Sequence, residues 1–156
     1  RWENKRWPVE SFETLIRNLL MEQGNLRVVV LGGKEDAELG VRLGAIGARC
    51  VDKTGQTTLP EMVEWIRASE VMVTNDTGPM HVAAALGKPV VALFGPTDPR
   101  RTGPYQARGI VLQASTMECV PCLSRTCTAE YDRDCLRSID VAKVAAEVRQ
   151  VLVTGE

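Results

Sequence analysis

Apolar positions along the chain fall into two alternating periodicities. Arg1 to Trp7 is too polar and aromatic for a strand and reads as a loop leading to Pro8. From Val9 to Gln23, Phe12, Leu15, Ile16, Leu19 and Leu20 recur at spacings that place them on one helical face, and Gly24-Asn25 closes the segment. Arg27 to Leu31 is a short β-branched run stopped by Gly32-Gly33, the pattern of a buried strand entering a tight loop. Lys34 to Ile46 reads as a second helix ending at Gly47. Cys50-Val51 reads as a short strand, Asp52 to Thr58 as a polar loop, and Leu59 to Ala68 as a helix with Pro60 near its start. Beyond the central stretch, Gly109 to Gln113 is a fifth strand. Val141 to Val153 is a closing helix with Val141, Val144, Ala145, Val148 and Leu152 on one face.

The central stretch, Val71 to Pro99, is the most informative. Val71-Met72-Val73 and Pro89 to Phe94 are apolar runs that each end in polar and glycine-rich residues, and Met80 to Leu86 between them is a good helix former. Gly87 fits the residue just past that helix's end, where a left-handed conformation favours glycine. Strand, helix, strand in under thirty residues predicts a parallel βαβ unit. Its first turn is Asn75-Asp76-Thr77-Gly78-Pro79: Thr77 or Gly78 suits the cap, and Pro79 suits a first turn in which its missing N–H costs nothing. Free N–H groups at that helix start favour an anion such as phosphate. The second strand ends in Gly95-Pro96-Thr97, so both loops should open on the edge where α/β sheets bind ligands.

Strands alternating with helices throughout predict an α/β fold built on a doubly wound parallel sheet with helices on both faces. At 156 residues the chain fits one domain with a real core. Its 19 basic and 20 acidic residues lack the excess of positive charge that non-specific nucleic-acid binding requires. No apolar run approaches the ~20 residues needed to span a bilayer, and no signal peptide opens the chain, so the expectation is a soluble, cytoplasmic protein. The chain begins at Arg1 rather than Met, which suggests a fragment with a partner segment upstream.

Within this frame a few residues carry chemistry. His81, the one histidine, lies three positions after Gly78 and so on the same side as the helix start. It either adds a donor to a bound phosphate or is pinned by a backbone carbonyl. Asp76 at the strand end either caps the helix or, since a carboxylate repels a diphosphate, holds sugar hydroxyls. Lys5, on the loop before Pro8, either neutralises a diphosphate or is a solvated surface lysine. Glu35, after Gly32-Gly33, suits ribose hydroxyls or merely a helix's first turn; no GxGxxG is present, which disfavours a Rossmann dehydrogenase.

The cysteines form a separate constellation. Cys119, Cys122, Cys127 and Cys135 give C-x2-C-x4-C-x7-C in a polar, irregular stretch. Four thiols at such spacing suit structural zinc or an iron–sulfur cluster. Disulfides, which a cytosolic chain disfavours, and unligated thiols are the other readings. The second C-x-x-C pair of a zinc ribbon is absent. Cys50 stands alone in an apolar setting and reads as a core thiol.

NDTGPMHVAAALGKPVVALFGPTDP, from Asn75 to Pro99, resembles the donor-binding motif of the heptosyltransferase family (family 9 glycosyltransferases), which transfers heptose from ADP-heptose to lipopolysaccharide core. NKRWP at Asn4 to Pro8, LGGKEDAE at Leu31 to Glu38, KTGQTTLPEM at Lys53 to Met62 and the cysteine segment CVPCLSRTC are similar to the family in order and spacing. The resemblance covers almost the whole chain. It implies one half of a GT-B enzyme: a single Rossmann-like, donor-binding domain over residues 1–156, with an N-terminal acceptor-binding domain not included in the chain. It also implies that Lys5 and the Thr77-Gly78 helix start with His81 hold the diphosphate, Asp76 the transferred sugar and Glu35 the adenosine ribose. The general base of the inverting reaction would come from the other domain, so no catalytic residue is assigned here. No cofactor is implied beyond the nucleotide-sugar substrate, and any metal at the cysteines would be structural. The implied acceptor is a glycolipid at the inner face of the bacterial inner membrane. Two other classes remain: a non-catalytic nucleotide-binding module, and a GT-B-like nucleotide-sugar epimerase, which would call for more catalytic histidines and carboxylates than this chain offers.

Overall fold

The computed structural model describes residues 2–105, 108–114, 117–128 and 134–154. Two units result, one of Val9–Trp65 and the other of Arg1–Pro8 with Ile66–Glu156. In the Val9–Trp65 unit, α1 (Val9–Glu22) leads to β1 (Val28–Val30), a 3-10 turn (Lys34–Asp36), α2 (Ala37–Gly44) and β2 (Cys50–Asp52). β1 and β2 pair in parallel, Val28 opposite Cys50 and Val30 opposite Asp52. The face predicted for α1 is the one buried: Ile16 and Leu20 close on Leu43 and Cys50, with Phe12, Val28 and Val30 packed around them. Cys50 is therefore the core thiol expected, and burial pushes its acidity down, raising its pKa.

Helix α3 (Leu59–Ala68) carries the chain onward, and its start is written in the sequence. Thr58-Leu59-Pro60-Glu61 forms a reciprocal cap: the Thr58 N–H donates to Glu61 Oε2 at 2.7 Å, and the Glu61 N–H donates to Thr58 Oγ1 at 3.4 Å.

The second unit contains β3 (Met72–Asn75), α4 (Gly78–Ala85), β4 (Val90–Phe94), α5 (Pro99–Thr102), β5 (Gly109–Gln113), α6 (Asp134–Arg137) and α7 (Val141–Thr154). Its sheet runs β3-β4-β5, all parallel, with β4 at the centre. That position explains the uninterrupted apolar run: all five residues of β4 are fully buried, as befits a strand covered on both faces. Helix α7 packs on β4 and β5 through Val144, Ala145 and Val148. Two glycines are demanded by backbone geometry. Gly87, at φ +67°, ends α4: its N–H donates to Ala84 O and the Lys88 N–H to Ala83 O, a full Schellman closure. Gly109, at φ +121°, opens β5 where a Cβ would collide with the Val90 carbonyl.

The α/β class with parallel pairing stands, but the sheet differs from the single one expected. Among the described residues there are two parallel ladders, β1-β2 and β3-β4-β5. Three-residue strands such as β1 and β2 make few ladder bonds, and alternation alone does not reveal which strands pair. The pattern also left out the one-turn helices α5 and α6, too short to show a period. It extended the second helix back to Lys34, where the chain forms a 3-10 turn instead. Among the described residues no helix is long and apolar enough to cross a membrane.

Candidate functional site

The turn from β3 into α4 is held from beneath by hydroxyls and an amide. Thr74 Oγ1 donates to Asn75 O at 2.9 Å and lies 3.5 Å from Thr77 Oγ1. Asn75 Oδ1 accepts the Trp7 N–H at 2.9 Å, tying the N-terminal segment to the strand end. Thr77 is the N-cap residue in extended conformation and Pro79 sits in the first turn, as the sequence implies. The Thr77 side chain does not cap the helix; it turns back toward Asn75 O at 3.3 Å. The first N–H groups of α4 therefore have no side-chain acceptor of their own.

Asp76 is 6% exposed, and its Oδ2 accepts from Lys5 Nζ at 2.6 Å and from Thr97 Oγ1 at 2.7 Å. Both hydrogen bonds fall on Oδ2 among the described residues, leaving Oδ1 as an acceptor. Lys5 follows from a short 3-10 turn, Glu3–Lys5, and its ammonium also sits 4.7 Å from the centroid of the Trp2 indole. Parallel pairing of β3 with β4 explains Thr97: adjacent parallel strands deliver their following loops to one edge, so the loop after Phe94 meets the turn after Asn75. Gln113, at the end of β5, fixes that loop by donating its amide to Gly95 O and Thr97 O at 3.1 and 2.7 Å.

The structure thus gathers Lys5, Asp76, Thr77, Gly78 and His81 around one helix start. His81 and Gly78 are exposed, and a Cβ built on Gly78 would meet nothing within 4 Å. Glu35 is exposed on the 3-10 turn after β1 and belongs to the Val9–Trp65 unit. The capping role in that turn falls to its neighbour Asp36, whose Oδ2 accepts the Gly33 N–H at 3.1 Å.

Sequence reasoning passed over Thr97, Gln113, Asn75 and Asn4. Parallel neighbours would have pointed to Thr97, which stands at the end of the strand beside Asp76's own. Asn4 had no such signal. It is 6% exposed, its amide donates to Ser124 O at 2.8 Å, and its Oδ1 is buried with no hydrogen-bond partner among the described residues.

The metal reading of the cysteines gains no support. Among the described residues no three His, Cys, Asp or Glu side chains are disposed to hold a metal ion. Cys119, Cys122, Cys127 and Cys135 are free thiols of unequal setting: the first two exposed, Cys127 half-buried and Cys135 buried. Burial raises the pKa of Cys135; a backbone hydrogen bond from Leu136 opposes the rise, and the neighbouring cysteines add to it.

Residues 1–131 match the family described as Glycosyltransferase family 9 (heptosyltransferase). The chain belongs to that family. It is 39% identical over 117 residues to lipopolysaccharide heptosyltransferase 2 of Escherichia coli K12, covering 72% of this chain and 33% of that protein. It is 31% identical over 168 residues to lipopolysaccharide heptosyltransferase 1 of Pseudomonas aeruginosa PAO1, covering 99% and 46%. Among solved structures, E. coli ADP-heptose lps heptosyltransferase II superposes with a TM-score of 0.79 at 33% identity, over 96% of this chain and 42% of that one. This family 9 chain therefore spans between a third and a half of the length of these relatives. Its parallel α/β architecture is shared with the matching 42% of that neighbour.

Proposed function

We propose that this chain is the donor-binding domain of an inverting glycosyltransferase that takes ADP-heptose or a closely related nucleotide sugar. In this reading the free N–H groups at Thr77-Gly78, His81 and Lys5 receive the diphosphate, and Asp76 Oδ1 accepts from the transferred sugar. The observation that carries it is the start of α4. The side chain of its N-cap residue Thr77 does not cap it, and Gly78 faces open space although neither its backbone conformation nor its packing demands glycine. A glycine that the fold does not need is readily explained by a ligand that comes close to the backbone.

The chemistry follows from charge. Inverting transfer develops negative charge on the departing diphosphate, and fixed donors at a helix start stabilise it without reorganising. Lys5 adds an ammonium donor, its charge partly offset by Asp76 and its position set by Asp76 and Trp2 rather than by the ligand. The base that deprotonates the acceptor hydroxyl, the acceptor-binding domain and the glycolipid acceptor belong to the longer protein in this reading, at the cytoplasmic membrane face.

Calorimetric titration with ADP, UDP and adenosine tests it. The expected result is tighter binding of ADP than of UDP, with His81→Ala losing ADP affinity about tenfold while adenosine affinity holds. Equal losses for ADP and adenosine would show that His81 supports the fold rather than the phosphate.

A further inference from the structure

The cysteine segment has no part in the site just described, yet the structure brings its middle three residues onto the N-terminal turn. The Leu123 N–H donates to Pro96 O at 2.7 Å, on the loop that also carries Thr97. The next residue, Ser124, accepts the Asn4 amide at 2.8 Å. Leu123 adopts a left-handed φ of +54°, a costly conformation for a branched side chain that these two bonds help to fix. The residue after them, Arg125, is thereby delivered to Trp2, its guanidinium carbon 5.5 Å from the indole centroid. Lys5 Nζ stands 4.7 Å from the same centroid.

Two cations on one indole are a charge arrangement with a consequence. Lys5 is already matched by Asp76 at 2.6 Å, so the pair is close to neutral toward an approaching anion. Arg125 is exposed, and no carboxylate pairs with it among the described residues. Its charge therefore adds to the Lys5–Asp76 pair with no paired carboxylate to offset it among the described residues. A guanidinium held against an aromatic ring is partly pre-organised, and its N–H fork suits bidentate contact with a phosphate.

We infer that Arg125 is a further phosphate-binding residue of this site: a guanidinium carried in by the cysteine segment to contact the diphosphate of a nucleoside diphosphate beside Lys5. The inference rests on the proposed donor-site reading and extends it to a segment that the reading leaves without a role. It also gives that segment a task that needs no metal: residues 123–125 act as the arm, anchored at Pro96 and Asn4.

The test is calorimetric titration of the chain and its Arg125→Ala, Arg125→Met and Arg125→Lys forms with ADP, inorganic pyrophosphate and adenosine, at low and high salt. Met keeps an unbranched stem against Trp2 without the charge, so it separates charge from packing. ADP and pyrophosphate should bind about tenfold more weakly to the Ala and Met forms, adenosine equally well to all, and the Lys form should recover part of the loss. The gap between the parent chain and the Ala form should narrow as salt rises. Undiminished ADP affinity in Arg125→Ala, while His81→Ala still loses it, would overturn this inference and leave the donor site standing. Weakened pyrophosphate with unchanged ADP would overturn it too, since the nucleotide's own phosphates would then lie elsewhere. Binding of neither ADP nor pyrophosphate by the parent chain would overturn both readings.

Discussion

Two strand-to-helix turns in this chain start from similar material and finish differently. After β1, Gly32-Gly33 leads through a 3-10 turn into α2; after β3, Asp76-Thr77-Gly78 leads into α4. The first turn is closed by its own residues. Asp36 accepts the Gly33 N–H, and a Cβ on Gly32 would stand 3.0 Å from Asp36 Cβ and 3.1 Å from Thr54 Cγ2. The Gly32 carbonyl is used as well, accepting the Gly55 N–H at 3.0 Å. The second turn is open: the Thr77 side chain does not cap it, and Gly78 borders space. The carboxylates mark the difference. Asp36 is spent on the backbone of its own turn, so an anion arriving there would meet a negative charge. Asp76 is turned aside onto Lys5 and Thr97, which leaves the helix start to an outside acceptor.

The largest effect should come from undoing that diversion. Lys5→Met removes the ammonium and leaves Asp76, 6% exposed, with Thr97 as its remaining donor. Breaking a fully buried pair costs about 3–5 kcal/mol. Lys5 keeps 21% exposure, so solvent screening reduces the expected loss in unfolding free energy to about 2 kcal/mol. Denaturant unfolding reads it, and the Lys5→Met, Asp76→Asn double mutant should recover most of the stability without recovering ADP affinity. An additive double mutant would mean that the two side chains are not coupled.

Gly78→Ala sharpens the comparison from the other side. The residue sits in a helix with room for a methyl, so melting temperature should hold or rise slightly. Backbone approach by a phosphate is what the methyl obstructs, and ADP should bind about tenfold more weakly. A lower melting temperature would show that Gly78 serves the fold. Asp36→Ala, in the closed turn, should do the reverse: stability falls by about 1 kcal/mol with the loss of a cap, and pyrophosphate affinity is unchanged.

What was legible in the sequence tracks how local its cause is. The end of α4 at Gly87, the bounds of α3 and β5, and the buried run of β4 depend on residues within a few positions of one another. The helix-start residues of the candidate site belong to the same class. Lys5 and Asp76 are 71 positions apart, and Asn4 and Ser124 are 120; neither pairing leaves a periodic trace. The cysteine spacing was legible, but among the described residues no group of side chains disposed to hold a metal accompanies it. The long-range contacts of that segment are made by Leu123, Ser124 and Arg125, which lie between the cysteines.

The smallest effect expected is at Thr58-Leu59-Pro60-Glu61, a third helix start, closed like the first but by a reciprocal cap on an exposed surface. Backbone and side-chain hydrogen bonds from Thr58 hold the Glu61 carboxyl below its ordinary value of 4.5. A carboxyl depressed in the folded state stabilises the protein above its unfolded pKa, and the contribution disappears as pH falls through the folded one. Glu61→Ala should therefore lower the melting temperature slightly at pH 7, and the difference from the parent chain should shrink only below about pH 4.5. Lys53 lies close enough to add to the depression, so part of the difference should also fade in high salt. A gap that persisted unchanged into acid would show that the loss does not come from the ionised carboxylate of Glu61.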